Sequence, residues 1–274
     1  MRLFLAAAAT AMLAAPLAAD DHVMTMDEVL AADLRDDDRA RDQFRNPAET
    51  LEFFGVEPTM TVAEFSPGGG WYTRVLAPFV TPAGRYIAFQ PDSDGGTFRD
   101  RAQEIRAKGW TERFSQTVGD MAGVNAANVT AFEIDEMPEA LAGTVDRVLI
   151  FRSMHGLNIA NEADAVLKAA RMMLKDGGMV GVVQHRAPDG ATYDDYGAQQ
   201  RGYMRTQDVV AIFEAAGFEL AAESEINANP KDPANWDGGV WMMPPTLAGD
   251  DAMDARTRNL GESDRMTLLF RKAD

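Results

Sequence analysis

The segment 61–76 constrains the fold more than any other. Thr61-Val62-Ala63-Glu64-Phe65 is a short apolar run of the kind a parallel sheet buries on both faces. It is followed at once by Ser66-Pro67-Gly68-Gly69-Gly70 and a helix-like stretch from Trp71 through Val75 and Leu76. Strand, glycine loop, helix opens a βαβ unit. Short apolar runs recur at 86–89, 129–132, 145–151 and 179–183, with helical patterns at 98–108 and 163–174. Lys175-Asp176-Gly177-Gly178 supplies the glycine stop of the second helix. This alternation predicts an α/β fold with a doubly wound, mostly parallel sheet. The chain then reads as helix 206–216, strand 218–226, an irregular Pro/Asn/Trp-rich excursion at 227–261 and a closing strand 266–271. Two final strands with no helix between them predict an antiparallel C-terminal edge.

Ahead of this pattern, residues 2–19 have the charged start, short Ala/Leu core and small-residue end of a secretory signal. They are too short to span a bilayer comfortably, and no later segment is long and apolar enough to do so. The expected organisation is therefore a signal at 1–19, an N-terminal helical extension at 20–58 and an α/β domain at 59–274, with 227–261 as a lid or insertion. Within the extension, 27–45 is charge-dense with a thin apolar stripe and reads as an exposed helix, and Asn46-Pro47 starts a second, shorter one. Location is expected to be periplasmic or secreted. The absence of cysteine excludes disulfides, thiolate metal sites and a cysteine nucleophile. With 43 acidic against 26 basic side chains and a net charge of −17, the chain lacks the basic footprint that nucleic acid requires.

The loop 66–70 allows a ligand to approach the backbone without a Cβ in the way, and Glu64 can accept hydrogen bonds from it. The nicotinamide pattern G-x-G-x-x-G is not met, because Gly68-Gly69-Gly70 is followed by Trp71-Tyr72-Thr73, and no Lys-Ser/Thr pair follows as in a P-loop. The arrangement resembles the first motif of class I S-adenosylmethionine-dependent methyltransferases, with Gly68 and Gly70 four and six residues beyond Glu64, although Ser66 stands where glycine is usual. More specifically, the chain is similar to a family of exported, predicted methyltransferases. The shared strings are Arg45-Asn46-Pro47-Ala48-Glu49-Thr50-Leu51, Pro67-Gly68-Gly69-Gly70-Trp71-Tyr72-Thr73, Glu225-Ile226-Asn227-Ala228-Asn229-Pro230-Lys231-Asp232 and Gly261-Glu262-Ser263-Asp264-Arg265-Met266-Thr267. The resemblance spans about residues 40–272. It implies a Rossmann-like class I methyltransferase fold, S-adenosylmethionine as cofactor and a small-molecule acceptor. It also implies cofactor contacts at Glu64, Ser66, Pro67, Gly68, Gly69 and Gly70. The ribose-binding acid usual after the second strand is replaced by Gln90, with Asp92 as alternative, and Asp135 is the expected adenine contact in competition with Glu133 and Glu136.

His155 and His185 each follow a strand and should emerge at the ligand-bearing edge, where a neutral imidazole can serve as base. Local hydrogen bonding that merely orders the two loops is the competing reading. Arg152 and Arg186 beside them are candidates to hold an anionic substrate or the cofactor carboxylate, with ion pairing at the surface as the alternative. Tyr72 and Tyr203 are expected to line the substrate pocket. A third reading of the histidines joins them to Asp189, Asp194 or Asp195 around a metal, as in a metal-assisted hydrolase; the preferred reading needs none. A noncatalytic exported ligand-binding module is the other functional alternative.

Overall fold

The computed structural model describes residues 22–94, 100–192 and 201–273. The expected signal, the expected helix start at Phe98, and Asp194 and Asp195 lie outside them. Among the described residues the apolar runs form seven strands: β1 (Thr61–Phe65), β2 (Arg85–Gln90), β3 (Val129–Glu133), β4 (Val145–Phe151), β5 (Leu174–His185), β6 (Phe218–Ser224) and β7 (Arg265–Lys272). One sheet holds them all in the order β3-β2-β1-β4-β5-β7-β6. Strands β1 to β5 pair in parallel, and β7 is antiparallel to both β5 and β6. This is the doubly wound, Rossmann-like class, and its antiparallel C-terminal strand is inserted one position in from the edge, leaving β6 outermost.

Alternation along the strands explains the two cores. Ala63, Phe65, Ile87, Phe89, Val148 and Ile150 face one side of the sheet. There they pack under α7 (Met154–Ala160), α8 (Ala163–Met173) and α9 (Thr206–Ala215), through Leu157, Val166, Leu167 and Phe213. Val62, Tyr86, Ala88 and Leu149 face the other side. That face is covered by α1 (Met26–Ala31), α3 (Pro47–Phe53), α4 (Thr73–Val80) and α6 (Trp110–Ala122).

The structure corrects several expectations. The helix expected over 27–45 is broken: α1 ends at Ala31, two single 3₁₀ turns follow, and α2 (Asp42–Arg45) resumes. The break is held by Arg35, whose guanidinium donates to Asp42 and to the Leu30 carbonyl, so the charges bond across the turns instead of lining one helix face. Asn46 (φ +39) then separates α2 from α3. Helices α6 and α7 were not anticipated, whereas α5 (Arg101–Lys108) occupies the expected region. The excursion 227–261 is ordered around its own cluster of Ala187, Tyr203, Trp236, Val240 and Met243, and it contains a regular helix, α10 (Asp251–Arg258), capped by Asp250.

Candidate active site at the glycine loop

From β1 the chain crosses to β2 on one side of the sheet, while β4 lies on the other, so the strand order reverses between β1 and β4. Ligands of open α/β sheets sit at the carboxyl ends of the strands at such a point. The two loops meeting there both begin with a strained non-glycine residue, Ser66 (φ +48) and Arg152 (φ +57). Each is tied to its neighbouring strand: the Ser66 amide donates to the Phe89 carbonyl at 2.8 Å and the Arg152 amide to the Val183 carbonyl at 2.6 Å. Gly68 (φ +59) turns the glycine loop in the left-handed region, and a Cβ at Gly69 would meet nothing within 4 Å, so the loop presents bare backbone.

The loop opens on a cavity of about 490 Å³, within the range of small-molecule sites. Ser66, Pro67, Gly68 and Gly69 form its floor, Trp71 and Tyr72 one wall, and Val240 and Trp241 of the excursion another. A second cavity, of about 300 Å³, shares Ser66, Arg152, Ser153 and His155 with it and continues to Pro91 and Glu162.

Glu64 lines the larger cavity, buried one residue before the end of β1. Its Oε2 accepts from Thr73 Oγ1 at 2.9 Å and Tyr86 Oη at 2.6 Å. Burial pushes the carboxyl up to about 7, against the lowering effect of those two hydrogen bonds. Tyr72 stacks on Phe151 with ring centroids 3.5 Å apart, and its hydroxyl donates to the Arg45 carbonyl.

Both histidines line the same cavity, their rings 5.9 Å apart. Position 155 falls in the first turn of α7, and position 185 is the last residue of β5. His185 Nδ1 lies 2.6 Å from Ser263 Oγ. The Gln184 amide, oriented by its 2.9 Å bond to the Gly202 carbonyl, places Nε2 3.3 Å from His155 Nδ1. Burial lowers both imidazoles, His185 well below its ordinary value, and the charge of Arg152 adds to the effect. Both are therefore neutral at pH 7, the form that accepts a proton.

Other expected site residues lie elsewhere. Arg186 does not face the glycine loop. Glu225 takes both of its terminal nitrogens at 2.7 Å and Asp264 accepts from Nε at 2.8 Å, which holds the guanidinium in a separate cavity with Asp189. That also removes Asp189 from the histidines. Tyr203 is buried behind His185, with its ring 6.3 Å away, and its hydroxyl donates to Asp232 at 3.0 Å. Gln90, Asp92 and Asp135 gather at the ends of β2 and β3, outside the main cavity, around Glu133. Glu133 is the buried acid of that group and accepts from Gln90 Nε2 and from the Ser93 amide and hydroxyl, whereas Asp135 is exposed.

The structure adds residues that the sequence reading passed over as site candidates: Arg41, Arg45, Glu262 and Ser263 all line the main cavity. Three of them lie inside the strings that carry the family resemblance, and that was the available signal.

No protein-family model and no curated protein matches the chain. Among solved structures it is similar to a SAM-dependent methyltransferase from Aquifex aeolicus, at 19% identity over 74% of this chain and 94% of that one, with a TM-score of 0.49. It is also similar to 1,6-didemethyltoxoflavin-N1-methyltransferase from Burkholderia thailandensis, solved with 1,6-didemethyltoxoflavin and S-adenosylhomocysteine (15% identity, 96% and 94% coverage, TM-score 0.46). A 16S rRNA (adenine(1408)-N(1))-methyltransferase from Catenulisporales acidiphilia is similar at 14% identity, with 83% and 91% coverage and a TM-score of 0.43.

Proposed function

We propose that the chain is a class I S-adenosylmethionine-dependent methyltransferase acting on a small molecule. The observation that carries this reading is the position of the glycine loop, at the β1/β4 switch point and opening on a cavity with two neutral imidazoles in its wall. The residues present fit the cofactor in two respects. Bare backbone at Gly68 and Gly69 admits a bulky ligand, and the two connected cavities extend from the loop past Ser66 toward Pro91 at the end of β2. Ser66, Pro67, Gly68 and Gly69 would hold it, with Glu64 beneath the loop. When bound, S-adenosylmethionine supplies an electrophilic methyl group on a sulfonium.

The chain's own residues then have to hold the acceptor in line and take its proton. His155 is the better-placed base, because it borders both cavities and is less buried than His185. Trp241, 38% exposed and 6.0 Å from the His155 ring, would cover the acceptor. The acidic net charge supports a small molecule over nucleic acid. With residues 1–19 read as an export signal, the proposed location is periplasmic or secreted.

A noncatalytic binding role is the second reading. It is favoured by the Gln90–Glu133 bond, which occupies the amide nitrogen of Gln90, the residue expected to take a ribose. Calorimetric titration with S-adenosylmethionine separates the two. Saturable micromolar binding, weakened at least tenfold by Gly68→Val in a protein that still melts cooperatively, is expected of the methyltransferase. Folded protein that takes up none would overturn the methyltransferase reading in favour of the binding module.

A further inference from the structure

Three arginines beside the glycine loop converge on one carboxylate, and a fourth faces the same cavity. Glu262, 4% exposed, accepts from Arg41 Nε at 2.6 Å and Arg45 Nε at 3.0 Å, and lies 3.2 Å from a terminal nitrogen of Arg265. That single acid leaves much of their hydrogen-bonding capacity unused. Among the described residues, Nη2 of Arg41, both terminal nitrogens of Arg45 and Nε of Arg152 are buried without a partner, and all three side chains line the cavity with Glu262. Arg45 is 0% exposed and holds its guanidinium 4.6 Å from the centroid of Trp71, so it is fixed in place.

The neighbouring acids are already committed. Asp38 is bidentate to Arg74, Asp42 pairs with Arg35, and the carboxyl of buried Glu64, raised to about 7 by burial, is bonded to Tyr86 and Thr73. Burial lowers the Arg152 guanidinium most, and the charges of Arg265 and Arg41 lower it further while Glu262 opposes them. A locally positive cleft has thus been built into a chain with a net charge of −17. Buried guanidinium N–H groups in a fixed fork are the donor geometry that matches carboxylate and phosphoryl oxygens.

We propose that Arg41, Arg45 and Arg152 form a binding site for an oxyanion, a carboxylate or phosphoryl group, carried by a small molecule in the cleft. The inference deepens the methyltransferase reading and rests on it only for the identity of the carrier. S-adenosylmethionine bears a sulfonium, an ammonium and one carboxylate, so it is net positive. A cleft of the same sign then takes up the cofactor through its carboxylate, or balances it with an anionic acceptor.

The test is calorimetric titration of the intact chain with inorganic phosphate and with malonate, alone and with saturating S-adenosylhomocysteine. Saturable binding of either anion is expected, weakened at least tenfold by Arg152→Met and less by Arg152→Lys. Arg85→Met, an exposed change at the opposite end of β2, should leave it unchanged. Simultaneous binding with S-adenosylhomocysteine would assign the anion to the acceptor; mutual exclusion would assign it to the cofactor carboxylate. No saturable binding of either anion, or binding indifferent to Arg152→Met in folded protein, overturns the site. S-adenosylhomocysteine binding without anion binding would leave the methyltransferase reading intact, and anion binding alone would leave the oxyanion site intact.

Discussion

At the scale of single residues, Glu64 and His185 impose opposite pH dependences on stability. The Glu64 carboxyl is raised to about 7 in the folded chain, so the folded state binds more protons than the unfolded state above the ordinary glutamate value. Its ionisation cost is absent at low pH, grows through the interval from about 4.5 to 7 and is fully present above it. Relative to Glu64→Gln, the wild type should lose about 2–3 kcal/mol of unfolding free energy across that window, measured by urea denaturation at a series of pH values. His185 is depressed, so its contribution is present above the ordinary histidine value and is lost as the pH falls below it. With only three histidines in the chain, NMR titration is easily assigned. The His155 and His185 resonances should both titrate below the ordinary value, with His185 the lower; normal titration of either would contradict its burial. Glu64 was legible as an acid beside the glycine loop, but its bonds to Tyr86 and Thr73 were not, because they depend on which way a strand residue points within the sheet.

At the scale of elements, the strands were legible and several helices were not. Apolar runs locate strands because both faces of this sheet are covered, so each strand reads as continuous hydrophobicity. Helix α6 carries its signal in Trp110, Phe114, Val118 and Ala122 at four-residue spacing, but the stripe is thin and Gly119 interrupts it. Helix α7 is two turns and follows its strand almost directly, so its residues read as a loop. The contact between α3 and the sheet gives a sharp test of packing. A Cβ at Gly181 of β5 would lie 2.7 Å from the Phe54 ring, just beyond α3. Gly181→Ala should therefore cost about 1–3 kcal/mol by overpacking, read from the shift of the denaturation midpoint. Gly69→Ala, with open space around its Cβ, should leave that midpoint nearly unchanged.

Across the whole molecule, three strings distant in sequence knit the N-terminal extension to the last strand. Asn46 donates to the Ile226 carbonyl, Asn227 to Thr50 and Thr267, and Asn229 to the carbonyls of Leu260 and Glu262. Arg265 reaches back to the Phe44 carbonyl. The residues that make these contacts are buried or half-buried and bonded to one another. Glu262, Arg41 and Arg45 lie at the glycine-loop cavity. Each string was visible by itself, but nothing in the spacing showed that they meet. Glu262→Gln would leave buried Arg45 and Arg265, and half-buried Arg41, without the carboxylate they share, and should destabilise the chain by about 3–5 kcal/mol in chemical denaturation. A loss below about 1 kcal/mol would show that the cluster is not closed around that acid.

The proposed function requires a cofactor at the glycine loop, and the most direct test is a crystal structure of the chain grown with saturating S-adenosylhomocysteine. The account predicts the ligand against Ser66–Gly69 at the carboxyl ends of β1 and β4, extending toward Pro91. Binding at any other cavity, or a loop left empty at saturation, would contradict it.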